Sequence, residues 1–345
     1  MNVTSKPASH MSAEILQAPE AVARQEQSLA APLRALVRRL KAKPPRVVVT
    51  SARGSSAHAA AFAKHTIERF LGIPVAAAAP SIVTVYHRDL NLKDQLLLAI
   101  SQSGRSDDLI EQTKSAKRAG ALTVALVNTT GSPLAHESDI VLPIDAGPEL
   151  SVAATKSVIA TLAALLRLTA EWAQDSALAA ALPRLPERLK AAGTLDWSAC
   201  FGTFAKASSM MVIGRGSTLA IAREAALKLK ETANLHAEAY SGAEFQHGPM
   251  ALVSAAYPIL MFMPADEAAG ALVALADDLR RKKAALFCVE PGRGKGRLPA
   301  LAPDQPEADA ICQIQSFYAA AVRLAKLRGM DADRPRHLKK VTRTR

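Results

Sequence analysis

Ser101-Gln102-Ser103-Gly104-Arg105-Ser106 follows the apolar run Leu96-Leu97-Leu98-Ala99-Ile100 and precedes a segment, Asp107 to Ala119, that reads as a helix. A strand therefore ends in a loop of small hydroxyl residues, and a helix begins. Free backbone N–H groups and the helix dipole favour an anion at such a point. Three serines and a glutamine add short hydrogen-bonding arms, enough to grip a phosphomonoester without a lysine clamp. The plainer alternative is that Ser106 only caps the helix.

Working outward, strand-like and helix-like runs alternate. Residues 12–42 read as a helix with an apolar face at Ile15, Val22, Leu29, Leu33 and Leu36, ended by Lys43-Pro44-Pro45. Val47-Val48-Val49 is a strand, followed by the turn Arg53-Gly54-Ser55-Ser56 and a helix to about Phe70. Val75–Ala78, Gln95–Ile100, Ala121–Val127 and Ile140–Ile144 supply four more strands, and a long helix is expected from about Val152 to Gln174. Such alternation predicts an α/β fold, a parallel sheet with helices on both faces, and five strands suit a flavodoxin-like order. The pattern then repeats. Met210 to Ile213, the turn Gly214-Arg215-Gly216-Ser217 and a helix to about Thr232 mirror the first strand, turn and helix. Ile259–Met263 and Ala285–Val289 read as later strands, Glu290–Pro306 as loop, and Ala308–Leu327 as a last helix.

Composition narrows the class. A chain of 345 residues can hold two domains with well-buried cores. No apolar run reaches the roughly 18 residues that span a bilayer. Met1 to His10 is polar and lacks the apolar core of a secretory signal. Cys200, Cys288 and Cys312 are few and widely spaced, which argues against a disulfide framework and a zinc site, so the cytoplasm is the expected compartment. A net charge of +12 raises nucleic acid as a partner. The basic residues are scattered, however, apart from Arg281-Lys282-Lys283 and the tail, and no helix-turn-helix or RNP-like motif occurs. A basic surface that attracts anionic sugars is the simpler reading; neither nucleic acid, membrane, metal nor cofactor is expected. No G-x-G-x-x-G follows the first strand, which removes the rival dinucleotide site.

The loop at 101–106 resembles the phosphosugar loop of the sugar isomerase (SIS) domain family. Three further stretches strengthen the likeness: Glu224-Ala225-Ala226-Leu227-Lys228-Leu229-Lys230-Glu231 with His236 to Tyr240, Glu244-Phe245-Gln246-His247-Gly248-Pro249, and Pro335-Arg336-His337-Leu338-Lys339-Lys340-Val341-Thr342. Together they resemble the isomerase half of glucosamine-6-phosphate synthase over residues 12–345. The resemblance implies two flavodoxin-like SIS domains in tandem: a helical segment 12–42, a first domain 43–175, a helical linker 176–205, a second domain 206–330 and a catalytic tail 331–345.

The resemblance also implies roles. Ser101, Gln102, Ser103 and Ser106 would hold the phosphate, and Ser56 and Val152 would line the sugar. Glu231 would shuttle a proton between sugar carbons 1 and 2, with Lys228 as electrostatic support; three residues apart on a helix, the two could equally form a surface ion pair. His247, expected in a loop, would assist ring opening from the neighbouring subunit, which makes a homodimer with shared sites the expected assembly. Lys340, otherwise an ordinary exposed lysine, would reach the open sugar and form a Schiff base. Lys339 stands where the synthase has a small residue.

With no cysteine in the first 199 positions, glutamine hydrolysis is not expected on this chain. Release of ammonia is the expected direction: glucosamine 6-phosphate and water giving fructose 6-phosphate and ammonia. The loops do not separate this from galactosamine 6-phosphate, from fructosamine phosphates, from a plain aldose–ketose isomerisation, or from non-catalytic phosphosugar binding.

Overall fold

The computed structural model describes residues 9–292 and 294–340. The polar start, residues 1–8, and the last five tail residues, 341–345, lie outside the described residues. Two compact units emerge, each built on a five-stranded sheet whose pairings are all parallel. One comprises Glu20–Gly147 with Ser157–Arg184; the other comprises residues 9–19, Pro148–Lys156 and Leu185–Lys340.

The first-sheet unit contains β1 (Val48–Ala52), β2 (Val75–Ala77), β3 (Leu96–Ser101), β4 (Leu122–Val127) and β5 (Ile140–Pro143) in the order β2-β1-β3-β4-β5. Every residue of β3 is buried, as expected of a central strand covered on both faces. The helix Gly54–Leu71 follows β1, and the helix Asp107–Arg118 follows β3. From the helix His10–Ala42, Gln25 is fully buried and its amide donates to the carbonyls of Ile144 at 2.6 Å and Ala160 at 2.8 Å. The expected apolar face at Val22, Leu29, Leu33 and Leu36 is buried. Because β1 and β3 are neighbours, the strand order reverses between them. The loops after these two strands flank the crevice where open α/β sheets bind ligands.

The second-sheet unit contains β6 (Ser209–Gly214), β7 (His236–Ser241), β8 (Pro258–Phe262), β9 (Ala285–Glu290) and β10 (Arg297–Pro299) in the order β10-β9-β8-β6-β7. This is the same winding. Met211, Ile213, Ile259, Met261 and Phe245 pack with Leu272, Leu275 and Leu279 from the helix Ala269–Arg281. The helix Ser217–Ala233 follows β6 and packs against the helix Pro306–Leu327. Its alanines 220, 222, 225 and 226 are all buried, and such small side chains permit close approach.

Two sequence expectations need correction, and one strand had no sequence expectation at all. His236–Ser241 is an edge strand whose outward side chains are polar, so hydrophobic alternation did not reveal it. Arg297–Pro299, expected to be loop, pairs with Cys288–Glu290 as a short edge strand. The long helix starts at Lys156 rather than Val152. The Glu149 carboxylate accepts the Thr155 N–H at 3.0 Å, and the Ser151 hydroxyl shares its one proton between the Glu14 carboxylate and the Ala153 carbonyl, 3.0 Å away, so residues 149–155 form a loop pinned by side chains. Among the described residues no helix is long and apolar enough to cross a membrane.

Candidate active site

In the first-sheet unit, β3 carries Ser101 to the carboxyl edge of the sheet. Its hydroxyl oxygen accepts the Gly104 N–H at 3.1 Å, and that of Ser103 accepts the Arg105 N–H at 3.3 Å. Both hydroxyls fold the loop as acceptors, so each keeps its own proton to donate to an anion. Gly104 sits at φ +62°, and a Cβ there would overlap the Ser132 side chain. That position is therefore reserved for glycine. Ser106 is the N-cap of the helix Asp107–Arg118, yet its side chain makes no capping bond. The capping alternative thus fails, and a third hydroxyl stays available. Gln102 is half-buried in the same loop. Ser56 lies in the first turn of the helix after β1 and is half-buried as well. Arg53 binds Asp108 at 2.7 and 2.8 Å, with the carboxylate almost fully buried. This pair ties the two loops together and neutralises Arg53. The loop presents hydroxyls and helix N–H groups, a donor set suited to a phosphomonoester.

In the second-sheet unit, Lys228 and Glu231 share one face of the helix Ser217–Ala233. Lys228 is fully buried, so a surface ion pair is excluded. Its ammonium bonds Glu231 Oε2 in a very short contact and lies 3.5 Å from Glu224 Oε1. The Tyr318 hydroxyl, from the helix Pro306–Leu327, donates to Glu224 Oε1 at 3.0 Å. Burial alone would lower the Lys228 pKa; the carboxylates of Glu224 and Glu231 outweigh it and hold the ammonium above the ordinary lysine range. Burial, reinforced by Glu224, raises the Tyr318 phenol well above its usual value and keeps it a donor. Glu231, unlike Lys228, is partly open: its side chain is 19% exposed and lines a cavity of about 460 Å³. The cavity also takes Thr232 and Asn234 from the helix end and Arg334, Arg336 and Leu338 from the tail. Arg328 closes the helix end, donating to the carbonyls of Ala233, Phe204, Ala205 and Ala207 at 2.7–3.1 Å.

The tail then brings Lys340 to the loop 149–155. Its Nζ donates to Glu149 Oε2 at 3.0 Å and to the Ser151 carbonyl at 2.7 Å. Val152, in the same loop, donates its N–H to the Asp333 carbonyl at 3.2 Å. Lys340 is not among the residues lining the Glu231 cavity. His247 stands apart: it is the exposed C-cap of the short helix Gly242–Gln246, and its imidazole has no partner among the described residues. Thus Lys228 and Glu231 meet directly, Lys340 and Val152 meet through one loop, and the serines and Gln102 belong to the first-sheet unit.

Sequence reasoning missed Glu149, Glu224 and Tyr318. Glu224 lies four residues before Lys228, a helical spacing that could have flagged it. Glu149 and Tyr318 meet partners far along the chain, and no local signal marks them.

Comparison with known proteins agrees with this architecture. The SIS domain model matches residues 42–170 and 203–289. Glutamine–fructose-6-phosphate aminotransferase (isomerizing) of Gluconobacter oxydans is 32% identical over 319 residues, covering 87% of this chain and 52% of that protein. The chain thus spans about half the length of the curated relatives it matches. Among solved structures, a candidate phosphosugar isomerase from Silicibacter pomeroyi DSS-3 superposes with a TM-score of 0.89 at 42% identity, covering 94% of this chain and 99% of that one. The C-terminal domain of glucosamine-fructose-6-phosphate aminotransferase from Francisella tularensis gives 0.84 at 25% identity, covering 97% and 100%. Two parallel sheets of like winding, a hydroxyl-lined loop at the switch point of the first, and these matches together make the chain a member of the SIS domain family, homologous to the isomerase half of glutamine–fructose-6-phosphate aminotransferase.

Proposed function

We propose that the protein is an amino sugar phosphate isomerase and deaminase, converting glucosamine 6-phosphate and water to fructose 6-phosphate and ammonia. The observation that carries this reading is the buried Lys228 ammonium between Glu224 and Glu231, with only Glu231 opening onto the cavity. A carboxylate held beside a fixed cation, at the rim of a cavity, suits a base that takes a carbon-bound proton and returns it one carbon away.

In the proposed reaction, Ser101, Gln102, Ser103 and Ser106 bind the phosphate, and Ser56 and Val152 line the sugar. His247 of the partner subunit exchanges protons at the ring oxygen as the ring opens. Glu231 removes the proton from carbon 2 of the open amino aldose and delivers it to carbon 1, while the amine gives up one proton and the carbon-1 oxygen takes one, leaving a hydroxyl at carbon 1 and an imine at carbon 2. The Lys340 amine displaces ammonia from that imine, and water hydrolyses the Lys340 Schiff base to free fructose 6-phosphate. Cys200 and Cys312 are pushed up to about 12 and Cys288 to about 11 by burial. None of these thiols is suited to attack glutamine, so on these residues nitrogen passes as free ammonia. Water, in vast excess, favours release.

The direct test incubates the protein with glucosamine 6-phosphate and measures ammonia and fructose 6-phosphate, which are expected in equal amounts. Ketose formation without ammonia would leave a plain isomerase; no product, with binding retained, would leave a phosphosugar-binding protein. The shared site has its own test. His247→Ala and Glu231→Gln subunits, each inactive, are mixed under conditions that exchange subunits. Random pairing is expected to return roughly a quarter of parental activity, because one site of each mixed dimer is intact. Exchange confirmed by mass tags with no activity returned would assign His247 to its own subunit.

The buried array has a stability consequence as well. Lys228→Met keeps the volume but strands two carboxylates, and is expected to cost roughly 3–5 kcal/mol in urea unfolding. Because the folded-state pKa is raised, this stabilisation is fully present below the ordinary lysine value of about 10.4 and is lost as pH climbs through the higher folded value. A Lys228→Met protein as stable as the parent at pH 7 would show that the array is not held as charges.

A further inference from the structure

Glu14, on the second turn of the helix His10–Ala42, is 3% exposed and belongs to the second-sheet unit. Its carboxylate meets the loop that holds Lys340. It accepts very short bonds from the Leu150 N–H and the Ser151 hydroxyl, and longer ones from the Ser151 N–H at 3.3 and 3.4 Å. The loop is bound from the same helix at a second point, where Lys156 Nζ donates to Gln17 Oε1 at 2.8 Å and to the Pro148 carbonyl at 2.6 Å. The tail is bound there too: the Asp333 carboxylate accepts the His10 and Met11 N–H groups, each at 2.8 Å.

Consider what this does to Lys340. Its Nζ rests on Glu149 Oε2 and the Ser151 carbonyl, on either side of Leu150. Glu14 grips the two peptide N–H groups between them. The loop has no helix or strand of its own to fix these groups. We propose that Glu14 is the positioning residue for the Lys340 amine: it sets the Glu149 carboxylate and the Ser151 carbonyl where they aim Nζ. The inference concerns aim alone, and its catalytic meaning rests on the proposed Schiff-base step, since an amine attacking a carbonyl must be held in line.

The test uses the full chain and two readouts. The first, without sugar, is acetylation of each lysine by acetic anhydride across pH, read by peptide mass, with exposed Lys206 and Lys282 as internal references. The second is the rate at which fructose 6-phosphate and cyanoborohydride form a reduced adduct on Lys340. Glu14→Gln is expected to raise Lys340 acetylation by about threefold or more relative to the references, as its hydrogen bonds slacken. The same variant should slow adduct formation roughly tenfold or more, as the amine loses its aim. The reference lysines should not move. Ser151→Ala, which removes one hydroxyl donor and keeps both peptide groups, should shift both readouts in the same directions by less, and carries the test if Glu14→Gln does not fold. Lys340 acetylation superimposable on the parent's in whichever variant folds overturns the proposal. Altered acetylation with no adduct on Lys340 in the parent would leave the positioning standing and remove the Schiff-base step instead.

Discussion

A lysine ammonium with no access to water governs the second-sheet unit. Lys228 can stay charged there only because Glu224 and Glu231 flank it on the same helix. That requirement fixes the rotamers of both glutamates. It also draws in Tyr318, whose hydroxyl satisfies Glu224 from a second helix. The alanines around Lys228 let the two helices close over the array and keep water out. Glu231, at the last turn, is the one member left partly open. Its place is unusual for a doubly wound sheet. The helix runs back from the carboxyl edge of β6, so Glu231 lies toward the amino edge, away from the switch point where such sheets bind ligands. The first-sheet unit follows the common rule, with its serine loop at the switch point.

The two units therefore carry different chemistry on the same winding. In the first, hydroxyls and helix N–H groups converge on the loop after β3, and Arg53 of the neighbouring turn is neutralised by Asp108. In the second, cations and carboxylates are paired inside the protein and at one loop, 149–155. The proposed reaction needs both kinds of site: donors for a phosphate that does not react, and a proton carrier with an amine for the carbons that do.

Much of this was legible in the sequence, for identifiable reasons. The loop 101–106 combines a strand end, a glycine at positive φ and a helix start, all local features, and the structure keeps all three. The five strands of the first sheet and three of the second followed from apolar runs alternating with helical ones, although the edge strands β7 and β10 did not. These two show polar side chains to solvent and bury too little to leave a pattern, whereas the first sheet's edge strands, β2 and β5, are apolar enough to be read. The spacing of Lys228 and Glu231 was legible, but their burial was not, because it depends on the helix Pro306–Leu327. The contacts of Lys340 with Glu149 and Ser151, and of Glu14 with Ser151, join residues more than a hundred positions apart. Only tertiary structure brings them together, and residues 152–155, expected to open the long helix, are instead held as loop by the Glu149 carboxylate.

The claim most exposed to test is that Glu231 carries the proton. Parent and Glu231→Gln proteins are incubated with glucosamine 6-phosphate in deuterium oxide, and the label at sugar carbons 1 and 2 is followed by NMR. The parent is expected to incorporate deuterium as it turns over. Glu231→Gln, folded and still binding sugar phosphate, is expected to do so roughly 10²- to 10⁴-fold more slowly, the usual contribution of a positioned base. Incorporation at the parental rate in Glu231→Gln would contradict the assignment and make another residue the base.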